Sequence, residues 1–160
     1  MPAPTPDFLR HVAGQFATGV TVVTSNESDG TPCGLTANSF TSVSLDPPLV
    51  LICLAQDSNS YDCILESGRF AVNILGAESA EIADRFWRMD RERRFEGLKW
   101  YTRETGAPIL EQALGFLDCT VTATHPAGDH TIILGQVAEC DFREGEPLIF
   151  QGGVYRKGVR

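Results

Sequence analysis

Three short stretches of this chain carry side chains able to do chemistry. The first is Gly34-Leu35-Thr36-Ala37-Asn38-Ser39-Phe40-Thr41-Ser42. A strand that only fills a core uses larger apolar residues; here small and hydroxyl-bearing ones dominate. Such a strand lets a flat ligand lie close to its backbone. Thr36, Asn38, Ser39 and Ser42 can hydrogen-bond a ring bearing carbonyls and nitrogens. The competing reading is an edge strand whose hydroxyls pair locally. The second stretch, Ser58-Asn59-Ser60, follows an apolar run and opens a predicted helix. Free N–H groups and the helix dipole favour an anion there, and these side chains add donors. The alternative is that Ser58 simply caps the helix. The third is Ala127-Gly128-Asp129-His130. Glycine allows a tight turn, aspartate can hold the loop or orient a histidine, and His130 opens the next strand. The plain alternative is a hairpin loop with a surface histidine.

Other chemistries have no support. No serine sits in a nucleophile-elbow context, and no G-x-G-x-x-G or P-loop pattern occurs. A nucleotide, if bound, is held another way. His11, His125 and His130 form no metal-ligand pattern, so no metal is expected. Cys33, Cys53, Cys63, Cys119 and Cys140 are odd in number and include no C-x-x-C pair. Cys53 and Cys119 lie in apolar runs. Reduced, mostly buried thiols are expected, not a disulfide frame or a zinc site. Arg85, Arg88, Arg91, Arg93, Arg94 and Lys99 are six of the 13 basic residues. They form either a solvated face paired with Asp84, Asp90 and Glu92, or a local anion site.

The elements that must hold these groups are short. Asp7 can cap a helix with Phe8, Val12 and Phe16 on one face, ended by Gly19. Strands are expected at 20–25 and 33–40, around an Asp29-Gly30 turn. Asp46-Pro47-Pro48 is a rigid turn before the most apolar strand, 49–55. A capped helix with Tyr61, Ile64 and Leu65 runs to Gly68. A strand at 70–75 leads to a helix at 78–89, with Ile82, Ala83, Phe86 and Trp87 inward. Residues 91–106 read as irregular, and 108–113 as a short connection. Strands at 114–124 and 131–140 flank the loop 125–130. A last strand at 148–155 includes Gly152-Gly153. Six to eight strands against three short helices, mostly in direct succession, predict antiparallel pairing. A mainly β fold follows: a closed or nearly closed barrel with peripheral helices, without strand–helix alternation.

A chain of 160 residues with 42% apolar and 21% charged residues is long enough for one self-sufficient core. No repeat or linker divides it, so a single domain over 1–160 with its core at about 8–155 is expected. With 13 basic against 21 acidic residues the net charge is −8, which argues against nucleic-acid partners. No apolar run nears the ~20 residues of a membrane span. Residues 1–7 hold three prolines and no basic stretch, so no signal peptide is expected. A soluble, cytoplasmic protein follows.

The runs GVTVVTS, GLTANSFTSVSLDPPLVLICLA, SNSY, FAVNIL and AGDHTIILGQV, in that order, resemble the short-chain flavin reductases. These are the reductase components of two-component flavin-dependent monooxygenases. The resemblance runs from about residue 8 to 155. It implies a Greek-key, FMN-binding split β-barrel, usually a homodimer. It implies reduction of FMN or FAD by NADH or NADPH, with reduced flavin passed to a partner monooxygenase. The matching segment begins at Gly34 and Leu35. Thr36, Ala37 and Asn38 match the part that lines the isoalloxazine, with Ser39 and Ser42 beside it. Cys53, Leu54 and Ala55 match the strand supporting the other side of the ring. Ser58, Asn59 and Ser60 match the phosphate turn. Phe86 matches an aromatic near the flavin, and His130 the histidine at the nicotinamide. Tyr155 matches the segment closing over the pyridine nucleotide. The chain ends five residues after Tyr155, where many relatives carry a tail. Docking or gating by such a tail is therefore left open by the resemblance. Such chemistry needs no side-chain nucleophile, because the cofactors carry it. Two alternatives stay open. One is a split-barrel protein holding flavin as a prosthetic group for another acceptor. The other is a flavin carrier without activity.

Overall fold

A computed structural model describes residues 3–157; expectations on the first two and last three residues lie outside the described residues. The chain opens with helix α1 (Pro6–Ala13), followed by strands β1 (Thr18–Gly19), β2 (Thr21–Asn26), β3 (Pro32–Ala37), β4 (Phe40–Leu45) and β5 (Pro48–Ala55). Helix α2 (Tyr61–Ser67), strand β6 (Arg69–Ile74) and helix α3 (Ala80–Arg88) come next. A single 3-10 turn at Arg91–Arg93 precedes β7 (Trp100–Thr102) and β8 (Pro108–Leu110). Two long strands, β9 (Gly115–Ala127) and β10 (His130–Phe142), and a small hairpin, β11 (Leu148–Gln151) and β12 (Val154–Lys157), complete it. The fold is mainly β with three helices, in line with the sequence pattern.

Seven strands form one antiparallel sheet in the order β3-β2-β6-β9-β10-β5-β4. Its two ends are consecutive in sequence. Only Asn38 and Ser39 join β3 to β4, and three Cα steps reach at most about 11 Å. The sheet therefore rolls until its ends approach, although no ladder joins β3 to β4. Ser39 fastens the seam. Its hydroxyl donates to the Cys53 carbonyl at 2.8 Å and accepts from the Cys53 N–H at 3.2 Å. Two small sheets, β1-β11-β12 and β7-β8, lie outside the roll.

The core sits on both faces of β2, as successive side chains of a strand require. Val23 joins Ile52, Leu54, Ile64, Phe70 and Ile133 in one cluster. Val22 faces the other way, toward Leu75, Ile82, Phe86 and Leu148. Both valines are fully buried.

Several expectations need correction. The strand expected at 33–40 is two, because its small residues let the chain turn at Asn38-Ser39 and cross to the far edge. The strand expected at 148–155 is a hairpin; Gly152 and Gly153 both have positive φ, the backbone a type I′ turn requires. The loop expected at 125–130 shrinks to Gly128-Asp129. Residues 125–127 extend β9, and His130 pairs with Ala127. Residues 91–106 and 108–113 contain β7 and β8. Helix α1 is capped by Thr5, not Asp7, and ends at Gly14, not Gly19. It buries none of its residues: Phe8, Leu9 and Val12 stay exposed. Trp87 is 60% exposed rather than inward.

The cysteines also differ. Cys33 and Cys63 form a disulfide joining β3 to α2. Local spacing rules miss a pair 30 residues apart that strand–helix packing brings together. Among the free thiols, burial pushes Cys119 up to about 12, helped by Asp118 and Cys140. Burial also raises Cys53, while Cys140 is exposed.

Candidate active site

The seam of the rolled sheet is also the floor of a cleft of about 640 Å³. The edge strand β3 supplies Leu35, Thr36 and Ala37, and the connection supplies Asn38 and Ser39. Cys53 and Ala55 of β5 face them. Ser58 and Asn59 close one end, and His130 stands at the start of β10. Phe86 and Tyr155 complete the expected set. Residues spread over most of the chain thus meet in one place.

Four expected residues do not line the cleft. Leu54 is fully buried in the core, because side chains alternate along β5 and its neighbours Cys53 and Ala55 take the cleft side. Ser42 lies exposed on β4, beyond the cleft. Ser60 is fully buried, and its hydroxyl donates to the Gly34 carbonyl at 3.0 Å. Gly34 is wedged between β2 and α3: a Cβ there would stand 2.8 Å from the Val23 carbonyl and 3.1 Å from the Phe86 ring. Close packing, not ligand contact, accounts for this glycine.

The hydroxyls on the floor mostly serve the fold. Thr36 donates to the Ala83 carbonyl of α3 at 2.6 Å, and Ser39 holds the seam. The backbone is what β3 has to offer. It pairs only with β2, and the Gly34 carbonyl points away from β2 toward Ser60 and Arg94. Backbone groups alternate sides along a strand, so the N–H and C=O of Thr36 point outward as well. An outward N–H and C=O beside small side chains suit the edge of a flat heterocycle.

The sequence reading missed Val20, Asp57, Trp87 and Phe150 in the cleft wall, and named Arg94 only as one of six basic residues of a possible anion site. Arg94 is the most consequential. It is only 5% exposed. Nε donates to the Met89 carbonyl at 3.0 Å, and Nη1 to the Gly34 carbonyl at 2.7 Å and the Ser60 hydroxyl at 3.4 Å. No carboxylate lies within ion-pair distance of it among the described residues, and its Nη2 makes no hydrogen bond there. Burial, and then the charge of Arg91, pull its pKa below the usual arginine value. A buried cation held only by neutral oxygens is poised to take an anion. Its neighbour Phe95 is the signal in the sequence: Phe95 packs edge-on against buried Phe86 at 5.0 Å, drawing this part of the basic run inward.

His130 is positioned by the turn before it. Gly128 has positive φ and Asp129 does not, the pattern of a type II′ hairpin. The Gln56 N–H donates to the Asp129 carbonyl at 3.0 Å, and the Gln56 side chain to the His130 carbonyl at 3.1 Å. The turn is thus tied to the end of β5. The His130 Nδ1 is 2.7 Å from the Asp129 carboxylate. That hydrogen bond, and then the histidine's charge, hold the Asp129 carboxyl below its ordinary range. With Nδ1 donating, Nε2 is the ring nitrogen left for a ligand. No cluster of metal-ligating side chains occurs among the described residues.

The model of the flavin reductase like domain matches residues 13–158. The FMN reductase (NADH) SmoA of Agrobacterium fabrum is 43% identical over 152 residues, covering 95% of this chain and 86% of that one. The reductase subunit HsaB of a flavin-dependent monooxygenase from Mycobacterium tuberculosis is 40% identical over 153 residues, covering 94% and 81%. The NADH:FAD oxidoreductase SgcE6 of Streptomyces globisporus C-1027, solved with NAD and FAD fragments, superimposes with a TM-score of 0.90 at 38% identity, covering 99% of this chain and 98% of that one.

Proposed function

The chain belongs to the flavin reductase-like family, and from that premise we propose that its cleft is where NADH reduces FMN or FAD. The enzyme is an NADH-dependent flavin reductase, and the reduced flavin goes to a partner monooxygenase. One observation carries the assignment of the site. The outward backbone of Thr36, the unpaired guanidinium of Arg94 and the side chain of His130 all border one cleft. They suit, in turn, a flat polar ring, a phosphate and a nicotinamide.

The bound cofactors supply the hydride chemistry. The protein has to hold two rings face to face and favour the charge that develops on the flavin. In our reading Leu35, Thr36, Ala37 and Asn38 carry the flavin ring on their backbone. Cys53 and Ala55 support its far side, and Ser39 keeps the two walls at a fixed spacing. Ser58, Asn59 and Arg94 hold the phosphate. Phe86 backs the wall, and Tyr155 bounds the nicotinamide side with His130. NADPH as a second donor belongs to the same proposal.

Three finer readings complete it. The rolled sheet is a Greek-key split barrel, and 1–160 is one domain. The working form is a homodimer, supported by the uncovered Phe8, Leu9 and Val12 of α1 and by exposed Trp87 and Trp100. Phe86, on the same helix as Trp87, is buried and takes no part in the dimer face. Light scattering is expected to give about twice the 17.4 kDa chain mass; an active monomer rejects the dimer. No described helix is long and apolar enough to cross a membrane, and we place the protein in the cytoplasm.

NADH oxidation with and without added free flavin tests the central proposal. Turnover is expected to rise with added FMN or FAD to a saturating level. Oxidation indifferent to added flavin points to a tight prosthetic group, and flavin binding without oxidation to a carrier.

A further inference from the structure

The two ends of the cleft are built on separate short segments. Ser58 and Asn59 stand between β5 and α2, and His130 opens β10. His130 pairs with Ala55, the last residue of β5. That pair ends its ladder, and the ends of an element open more readily than its middle. His130 thus sits where the sheet constrains it least.

Two side chains pin this end. One is Gln56, whose amide donates to the His130 carbonyl at 3.1 Å and reaches the Thr131 hydroxyl at 3.5 Å. The other is Tyr61. Its hydroxyl and that of Thr131 share a hydrogen bond of 2.7 Å. Thr131 is 1% exposed, so its hydroxyl depends on these protein partners. Among the described residues this is the only side-chain hydrogen bond between α2 and β10. Tyr61 also belongs to the turn before α2: its N–H donates to the Ser58 carbonyl at 3.0 Å. Its ring packs on the core cluster that holds Ile52 and Leu54. One aromatic residue therefore reaches from the Ser58 backbone to the chain neighbour of His130. A ligand that fixes the Ser58-Asn59 turn fixes the seat of Tyr61, and through Thr131 the terminal pair at His130.

We propose that Tyr61 is a positioning residue that couples the phosphate end of the cleft to His130, so that a flavin phosphate on the turn tightens the fit of the pyridine nucleotide. The proposal rests on the reading of the cleft as a flavin and nicotinamide site. Tyr61 itself does not line the cleft. It acts through Ser58 on one side and Thr131 on the other.

The test compares FMN with riboflavin, which lacks the phosphate, in the wild type, Tyr61→Phe and Thr131→Val. The two substitutions keep side-chain shape and remove the shared hydrogen bond from opposite sides, so either suffices if the other does not fold. Each flavin is supplied at saturation, so its own affinity does not enter. Two quantities are read. One is the NADH concentration giving half-maximal flavin reduction in stopped flow. The other is the rate of amide hydrogen exchange at residues 130–132 without NADH, which does not depend on turnover. In the wild type both are expected to be about fivefold lower with FMN than with riboflavin, the lower end of coupling between sites. In each variant both ratios are expected to fall to near one, with the limiting reduction rate unchanged. Combining the substitutions is expected to add nothing further, since both remove one bond. A purely structural Tyr61 forecasts a lower melting temperature with both ratios intact. Ratios near one in the wild type, or ratios that survive in the variants, overturn the proposal. If the wild type reduces both flavins and the ratios fail, only the coupling falls. If it reduces neither, the reading of the cleft falls and takes the coupling with it.

Discussion

Replacing Arg94 with methionine is expected to weaken FMN and FAD binding about 10- to 100-fold and to leave riboflavin binding nearly unchanged. The reasoning starts from burial. Arg94 is a cation almost out of water, satisfied only by carbonyls and one hydroxyl. A phosphate beside it would supply the missing countercharge. A hydrogen bond between charged groups contributes about 1.5–3 kcal/mol, and each ~1.4 kcal/mol is a factor of ten. Riboflavin has no phosphate and loses nothing. Arg94 also braces Gly34, so a purely structural role makes a competing forecast: all three flavins weaken together and the melting temperature drops. The Gly34 carbonyl keeps the Ser60 hydroxyl when Arg94 is gone, which limits that damage. Fluorescence titration of the three flavins separates the two accounts. Equal losses would remove Arg94 from the phosphate site.

The second large effect is expected at His130. Alanine there should lower kcat/KM for NADH about 10- to 100-fold, the size expected when one or two polar contacts to the reacting complex are lost. Flavin affinity and melting temperature should hardly move. The side chain is half exposed and hydrogen-bonds only to its neighbour Asp129. The strand pairing of residue 130 runs through its backbone. The fold therefore loses little with the imidazole. Stopped-flow reduction of bound flavin reads the step directly. Reduction at the wild-type rate at every NADH concentration would make the Gly128-Asp129 turn only a turn.

The two residues were unequally legible in the sequence. His130 stood out because a histidine after Gly-Asp at a strand start has few structural duties. Arg94 did not, because five other basic residues share its stretch and only the packing of Phe95 on Phe86 draws it inside. The same contrast runs through the fold. Strands marked by runs of β-branched or apolar residues, such as β2 and β5, could be read from their residues. The break between β3 and β4 could not, because Asn38 and Ser39 continue the run of small polar residues. What divides that run is the distant partner each half finds, β2 for one and β5 for the other. Ser60 misled for a related reason. It shares its type with Ser58, but the packing of α2 on β3 turns its hydroxyl inward. The disulfide lay beyond reach because nothing local marks Cys33 and Cys63 as neighbours.

The pairing of Thr18 in β1 with Phe150 in β11 has a consequence for synthesis. Ribosomes release the chain from its N-terminus, and domains generally fold as units. Here the first strand waits for almost the last one. The seven-stranded sheet, by contrast, has all its strands once β10 has emerged. A nascent chain can therefore roll the sheet and form the seam early, yet lack Phe150 and Tyr155 until the hairpin is made. Cofactor retention by ribosome-stalled chains of increasing length would rise late and abruptly, marking completion of the wall rather than collapse of the core.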